Sequence, residues 1–315
     1  MKRLPLRTAL AAALLSTAVS VSAKNLVVCT EASPEGFDIV QFTTAVTADA
    51  SAETILNRLA DFAPGSTDVE PALAERWDIS PDGLEYTFYL RPGVKFHTTD
   101  YFKPTRNLNA DDVIWSFQRQ LDPNHPWHKL SLVGYPYFES MGFKNLLKSV
   151  EKVDDMTVKI TLNHPEAPFL RDVAMPFNSI YSAEYADQLL KSGKTADLNN
   201  KPIGTGPFIF VRYNKDAQVR FKANPDYFRG KPPSDALIFA IATDSNVRLQ
   251  KLKANECQIA LYPKPDEVKN IRQDPNLKVD ELAALMTSYI AMNTSHKYLS
   301  DVRVRQAIDM AFDKQ

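Results

Sequence analysis

Cysteine is almost absent: the 315 residues hold two, Cys29 and Cys257, with no CxxC spacing and no cluster of histidines beside either. A redox-active or metal-binding thiol pair is therefore not expected. A surplus of one charge is missing as well. Lys and Arg number 37 against 38 Asp and Glu, so the basic excess of a nucleic-acid binder is not there. Beyond the first 23 residues, no run approaches the roughly 20 consecutive apolar residues that a membrane-spanning helix requires. Catalytic signatures are also lacking, with no GxSxG elbow, no HExxH and no cysteine beside a histidine. Gly204-Thr205-Gly206 is followed neither by the Lys-Ser/Thr of a phosphate loop nor by the third glycine of GxGxxG. Asp111-Asp112 and Asp154-Asp155 are carboxylate pairs, but adjacent residues diverge on a helix or strand. A secreted hydrolase is thus the weaker reading, and no enzyme and no cofactor are expected. His125-Pro126-Trp127-His128 has metal-ligand spacing only on a helix, which Pro123 and Pro126 oppose. A surface loop is expected there, and His97 is expected without chemistry.

What is present begins with Lys2, Arg3 and Arg7, an apolar run over 8–21, and the small residues Val21-Ser22-Ala23. This reads as a cleavable secretory signal over 1–23. Its removal takes three cations and moves the formal charge from −1 to −4. In an oxidising compartment the even cysteine pair reads as a Cys29–Cys257 disulfide. No cysteine follows the small residues, so no lipid anchor is expected at that site. Length and 44% apolar content allow two domains with a sizeable core.

Strands and helices alternate along the chain, which indicates an α/β architecture. A strand is expected over 24–29, then a helix capped by Asp49 or Ser51 with Ile55, Leu56 and Leu59 on one face. Trp77 and Ile79 alternate into Pro81-Asp82-Gly83, and residues 85–90 form the second strand of a hairpin before Arg91-Pro92-Gly93. Asn109 caps a helix with Asp111 and Asp112 in its first turn and an apolar stripe of Val113, Ile114, Phe117 and Leu121. Ser182 caps another helix that Gly193 closes. Strands follow over 208–213, 218–223, 237–241 and 257–261, the last able to approach the Cys29 strand. No internal repeat and no low-complexity linker occurs.

The ordered set Trp77, Asp82-Gly83, Tyr86-Thr87-Phe88 and Gly93-Val94-Lys95-Phe96-His97 resembles the signature of the solute-binding proteins that serve peptide and nickel ABC importers. Pro202-Ile203-Gly204-Thr205-Gly206-Pro207-Phe208 is a second, independent likeness. The resemblance covers essentially all of 24–315 and is nearest the dipeptide-binding branch. It implies a type II periplasmic-binding-protein-like fold of two lobes with mixed sheets. Lobe I would span 24–282, with a smaller subdomain near 61–198, and the start of a truncated lobe II would occupy 283–315. The chain thus reads as an amino-terminal fragment. The resemblance further implies a periplasmic monomer that hands dipeptides or short oligopeptides to an inner-membrane permease. Thr43, Thr44 and Ala45 would line its ligand cleft, Ala45 standing where dipeptide-binding relatives often carry glycine. Relatives with the same fold bind haem, glutathione, nickel or cationic antimicrobial peptides. The family's amine- and carboxylate-anchoring residues would lie beyond Gln315.

Overall fold

The computed structural model describes residues 25–131, 133–281 and 289–312. The expected signal over 1–23 lies outside the described residues. The strands are β1 (Asn25–Thr30), β2 (Ala60–Phe62), β3 (Val69–Pro71), β4 (Ala74–Ile79), β5 (Glu85–Leu90), β6 (Leu147–Asp154), β7 (Thr157–Leu162), β8 (Phe208–Asn214), β9 (Gln218–Ala223), β10 (Ala236–Ile241) and β11 (Ile259–Ala260). They form a five-stranded sheet in the order β11-β1-β10-β9-β8, a four-stranded sheet β4-β5-β7-β6, and the pair β2-β3. The larger sheet is mixed, because β1 runs parallel to both β10 and β11 while β9 is antiparallel to β8 and β10.

The expected hairpin forms where the turn chemistry dictates it. Gly83 takes φ +70°, in the left-handed region that glycine adopts without a Cβ penalty, and its N–H donates to Ser80 O at 2.9 Å. Trp77 then faces Phe88 across the ladder, and Tyr86, Phe88 and Leu90 point into the core. Ile79 departs from the expected alternation. It ends the edge strand β4 beside the turn and is 47% exposed.

Helix α1 (Ala45–Ala50) lies earlier than the sequence indicates. Ser51 Oγ bonds back to Thr47 O at 2.5 Å and Thr54 Oγ1 to Asp49 O at 2.6 Å, closing the helix with turns. Ile55, Leu56 and Leu59 are buried as the apolar spacing requires, but on a non-helical segment. The cause is competition for backbone: Gly206 N–H donates to Ile55 O at 2.8 Å and Phe208 N–H to Thr54 O at 3.1 Å. This also explains the Gly-Thr-Gly string. A Cβ on Gly204 would overlap the Ile55 carbonyl, and one on Gly206 would lie 2.5 Å from its carbon. Clearance for a crossing chain, more than a sharp start to β8, is what the glycines supply.

Helix α2 (Ala110–Leu121) begins at Asn109 as expected, with Asn109 Oδ1 accepting from Asp111 N and Asp112 Oδ2 from Asn109 N, both 3.0 Å. Val113 and Phe117 are buried; Ile114 and Leu121 are only half-buried, and Trp115 and Arg119 fill the inner face instead. Ser182 and Gly193 bound the helix Ala183–Ser192. The stretch expected as a surface loop at His125–His128 is packed. Trp127 is 3% exposed, His125 meets the Trp115 ring edge-on, and His128 Nδ1 donates to Arg119 O at 2.9 Å.

Residues 61–198 hold the four-stranded sheet, and their buried side chains join those of the main sheet in one continuous cluster. The chain separates into two compact units between Val279 and Asp280. The expected lobe boundary after residue 282 falls on residues outside those described. The shorter unit carries the helix Val302–Ala311, capped by Asp301, whose Oδ1 accepts from Arg303 N at 2.9 Å.

Candidate functional site

Because β1, β10 and β11 are parallel, Thr30, Ile241 and Ala260 end on the same edge of the sheet. In open α/β sheets this carboxyl edge is where ligands collect. Two of its loops share one brace. Arg248, 4% exposed, donates from its guanidinium to Ala242 O, Thr243 O, Leu261 O and Tyr262 O at 2.7 to 3.1 Å. Cys29 and Cys257 are joined beside them, with Cα atoms 5.8 Å apart, and tie β1 to the approach of β11.

The third loop, Ser33–Phe37, is clamped from two sides. Ser33 Oγ donates to Asp216 Oδ1 and Tyr213 Oη to Pro34 O, at 2.7 and 2.8 Å. Asn199 Oδ1 accepts from the N–H groups of Phe37 and Asp38 at 2.8 and 2.9 Å. Gly36 is needed because the Asn199 side chain occupies the space a Cβ would take. Thr43, Thr44 and Ala45 follow as an exposed strip leading into α1. Thr44 Oγ1 donates to Glu35 Oε1 at 2.8 Å, so that hydroxyl braces the strip against the loop. The Thr43 hydroxyl has no protein partner among the described residues, and Ala45 contributes a methyl and the first helical N–H.

Three residues join this edge that sequence reasoning did not single out for a site; Asp49, expected as a helix cap, lies inside α1 instead. Burial, then the charges of Glu53 and Glu31, push the Asp49 carboxyl up to about 6. Glu31 directly follows β1, and its Oε2 is buried without a hydrogen-bond partner among the described residues. Tyr262 lies two residues beyond β11, with φ +50° and 58% exposure. Burial raises its phenol, and the charges of Asp49 and Glu31 add to the effect, which sets all three in one neighbourhood. Position at a strand's carboxyl end could have flagged Glu31 and Tyr262. Nothing in the local sequence marks Asp49 as half-buried.

The other candidates are structural. Asp112 accepts both guanidinium nitrogens of Arg106, at 2.6 and 2.9 Å, and Ala183 N at 2.9 Å, while Asp111 pairs with Lys152. Asp155 also pairs with Lys152, and Asp154 caps its turn through Met156 N. Neither pair leaves two carboxylates facing a common space. His97 is 1% exposed, donates from Nε2 to Gly206 O at 2.9 Å, and is driven down to about 4, chiefly by burial. Among the described residues no group of three or more His, Cys, Asp or Glu could hold a metal ion, and no helix is long and apolar enough to cross a membrane.

The arrangement is therefore an open edge with acidic groups, an exposed strip and the Thr43 hydroxyl, suited to holding a polar molecule. Comparison with known proteins gives the same kind of answer. Residues 68–315 match the family model of bacterial extracellular solute-binding proteins, family 5. The chain is 69% identical over 296 residues to the Di/tripeptide-binding protein 4 of Pseudomonas aeruginosa, covering 94% of this chain and 55% of that one. It is 49% identical over 298 residues to the Heme-binding protein A of Haemophilus influenzae, covering 95% and 54%. Among solved structures it is similar to the periplasmic binding protein DppA of Helicobacter pylori in complex with the peptide STSA, with 38% identity and a TM-score of 0.85. That match covers 92% of this chain and 57% of the other. The chain thus spans little more than half the length of these relatives, and it belongs to the family 5 bacterial extracellular solute-binding proteins.

Proposed function

We propose that the complete protein is the substrate-binding component of an ABC importer, capturing dipeptides or short oligopeptides in the periplasm and delivering them to an inner-membrane permease. The observation that carries this reading is the 69% identity to a di/tripeptide-binding relative across 94% of the chain. The chemistry agrees. A peptide is zwitterionic, and its burial requires anions near the ammonium, a cation near the carboxylate and hydrogen bonds to the amides. The Glu31 and Asp49 side of the edge suits the ammonium, and the backbone and hydroxyls of Thr43, Thr44 and Ala45 suit the amides. In this reading residues 24–282 form lobe I and 283–315 begin lobe II. The protein is exported by the signal over 1–23, works as a monomer, and keeps the Cys29–Cys257 bridge oxidised. Ligand is held by closure of the lobes and is released unchanged.

A second reading keeps the fold and changes the cargo, and the identity to a haem-binding relative favours it. Thermal unfolding of the complete protein separates the two. A dipeptide at one hundred times its Kd should stabilise by about 2.7 kcal/mol, whereas haem should leave the transition unmoved and add no Soret band. If no di- or tripeptide raises the transition, the peptide reading is wrong.

A further inference from the structure

Tyr262 is held in a conformation that its own chemistry opposes. At φ +50° it lies in the left-handed region, where a Cβ crowds the following carbonyl, and Pro263 favours extended backbone in the residue before it. Glycine would take this φ without penalty, and asparagine at less cost. The group that holds it there is Arg248, 4% exposed, which donates to Tyr262 O and Leu261 O at 3.1 Å each and also fastens Ala242 O and Thr243 O. The residue so fixed stays 58% exposed. A strained backbone that presents a large aromatic to solvent lowers the stability of the ligand-free chain on both counts, and strain of this kind collects at ligand clamps.

Its place follows from the register of the edge. Cys29 pairs with Ala260 in the parallel ladder, and Leu261 N–H still donates to Cys29 O at 3.0 Å, so Tyr262 leaves the sheet level with Glu31, each two residues past that pair. Burial raises the Tyr262 phenol, and the charges of Asp49 and then Glu31 add to the effect, which sets the ring on the side of the edge that suits a peptide's ammonium. The first side chain of a peptide springs from the carbon that carries the ammonium, and so comes within reach of the same ring. An aromatic face offers broad apolar area with little directional demand, which fits a side chain better than a main-chain amide. Resting on the peptide reading, we propose that the Tyr262 ring packs against the side chain of the bound peptide's first residue, and that Arg248 is the positioning residue that aims it.

The test measures Kd by calorimetry on the complete protein for the dipeptides Leu-Gly, Gly-Leu and Gly-Gly. In Tyr262→Ala the Kd of Leu-Gly should rise about tenfold, while those of Gly-Leu and Gly-Gly stay within about twofold. Arg248→Lys should show the same selective loss, because an ammonium cannot span both loops. The double variant should bind no more weakly than either single one, as expected of two residues acting through one contact. A purely structural Arg248 would instead weaken all three peptides alike. Equal losses for Leu-Gly and Gly-Leu in Tyr262→Ala, or no loss, overturn the contact. An unselective or additive loss in Arg248→Lys, or its failure to fold, overturns the positioning role. If the unaltered protein binds none of the three peptides, the peptide reading falls and takes this proposal with it, an outcome distinct from good binding without the selective loss.

Discussion

Gly206→Ala tests whether the crossing of residues 54–55 and 204–208 is as tight as the backbone spacing indicates. The new Cβ would meet the Ile55 carbonyl carbon at 2.5 Å and Thr54 O at 2.8 Å, and both are main-chain atoms without a rotamer into which to retreat. Overpacking of this kind costs about 1–3 kcal/mol. Relief by separating the two chains would sacrifice the bonds from Gly206 N to Ile55 O and from Phe208 N to Thr54 O, at about 1 kcal/mol each. By either route the cost is about 2 kcal/mol, which in a unit of this size lowers the melting temperature by roughly 6 °C. Gly93→Ala is the control. Gly93 has φ +75° but nothing within 4 Å of an added Cβ, so only backbone strain of about 1 kcal/mol applies. Circular dichroism melts of both variants of the ligand-free complete protein decide the matter. Should Gly206→Ala melt with the Gly93→Ala control, the clearance argument fails.

Three further outcomes follow from buried groups. His97, held down to about 4 against an ordinary 6.5, stabilises the fold only while neutral; that contribution is complete above pH 6.5 and lost as pH falls towards 4. His97→Gln should remove about 3 kcal/mol of the acid sensitivity seen in urea midpoints across that window. Asp49 has the opposite sign, since its raised value means that deprotonation opposes folding, from about pH 4 up to completion above about 6. Asp49→Asn should therefore raise stability at pH 7 by about 1–2 kcal/mol and leave it unchanged at pH 3.5, as measured by urea unfolding. Arg119→Met strands the Asp38 carboxylate and should cost about 3–5 kcal/mol; adding Asp38→Leu should restore most of it, and a penalty that simply adds would exclude the ion pair as the cause.

Much of the frame could be read from residues alone, where local chemistry and tertiary demand coincide. Asp82-Gly83 sets its turn whatever surrounds it, and Asn109 and Ser182 cap their helices through their own side chains. The α1 region was misplaced because residues 54–55 give their carbonyls to a segment some 150 residues later, which no window of local periodicity contains. Trp127 and Arg119 were missed for a related reason. A proline-rich loop and a charged residue look solvated until Asp38, far away in sequence, neutralises the guanidinium. The strip at 43–45 was indicated by resemblance, whereas Glu31, Asp49 and Tyr262 come together only through the parallel registers of β1 with β10 and β11.

The single guanidinium that fastens four carbonyls after β10 and β11 has a consequence for how such an edge can change. Lysine, with three donors on a freely turning ammonium, cannot reproduce a planar fork that reaches two loops at once. With their main chains pinned from behind by a buried side chain, those loops can exchange their outward residues one at a time. The surface these loops present can then drift while the scaffold beneath stays in register.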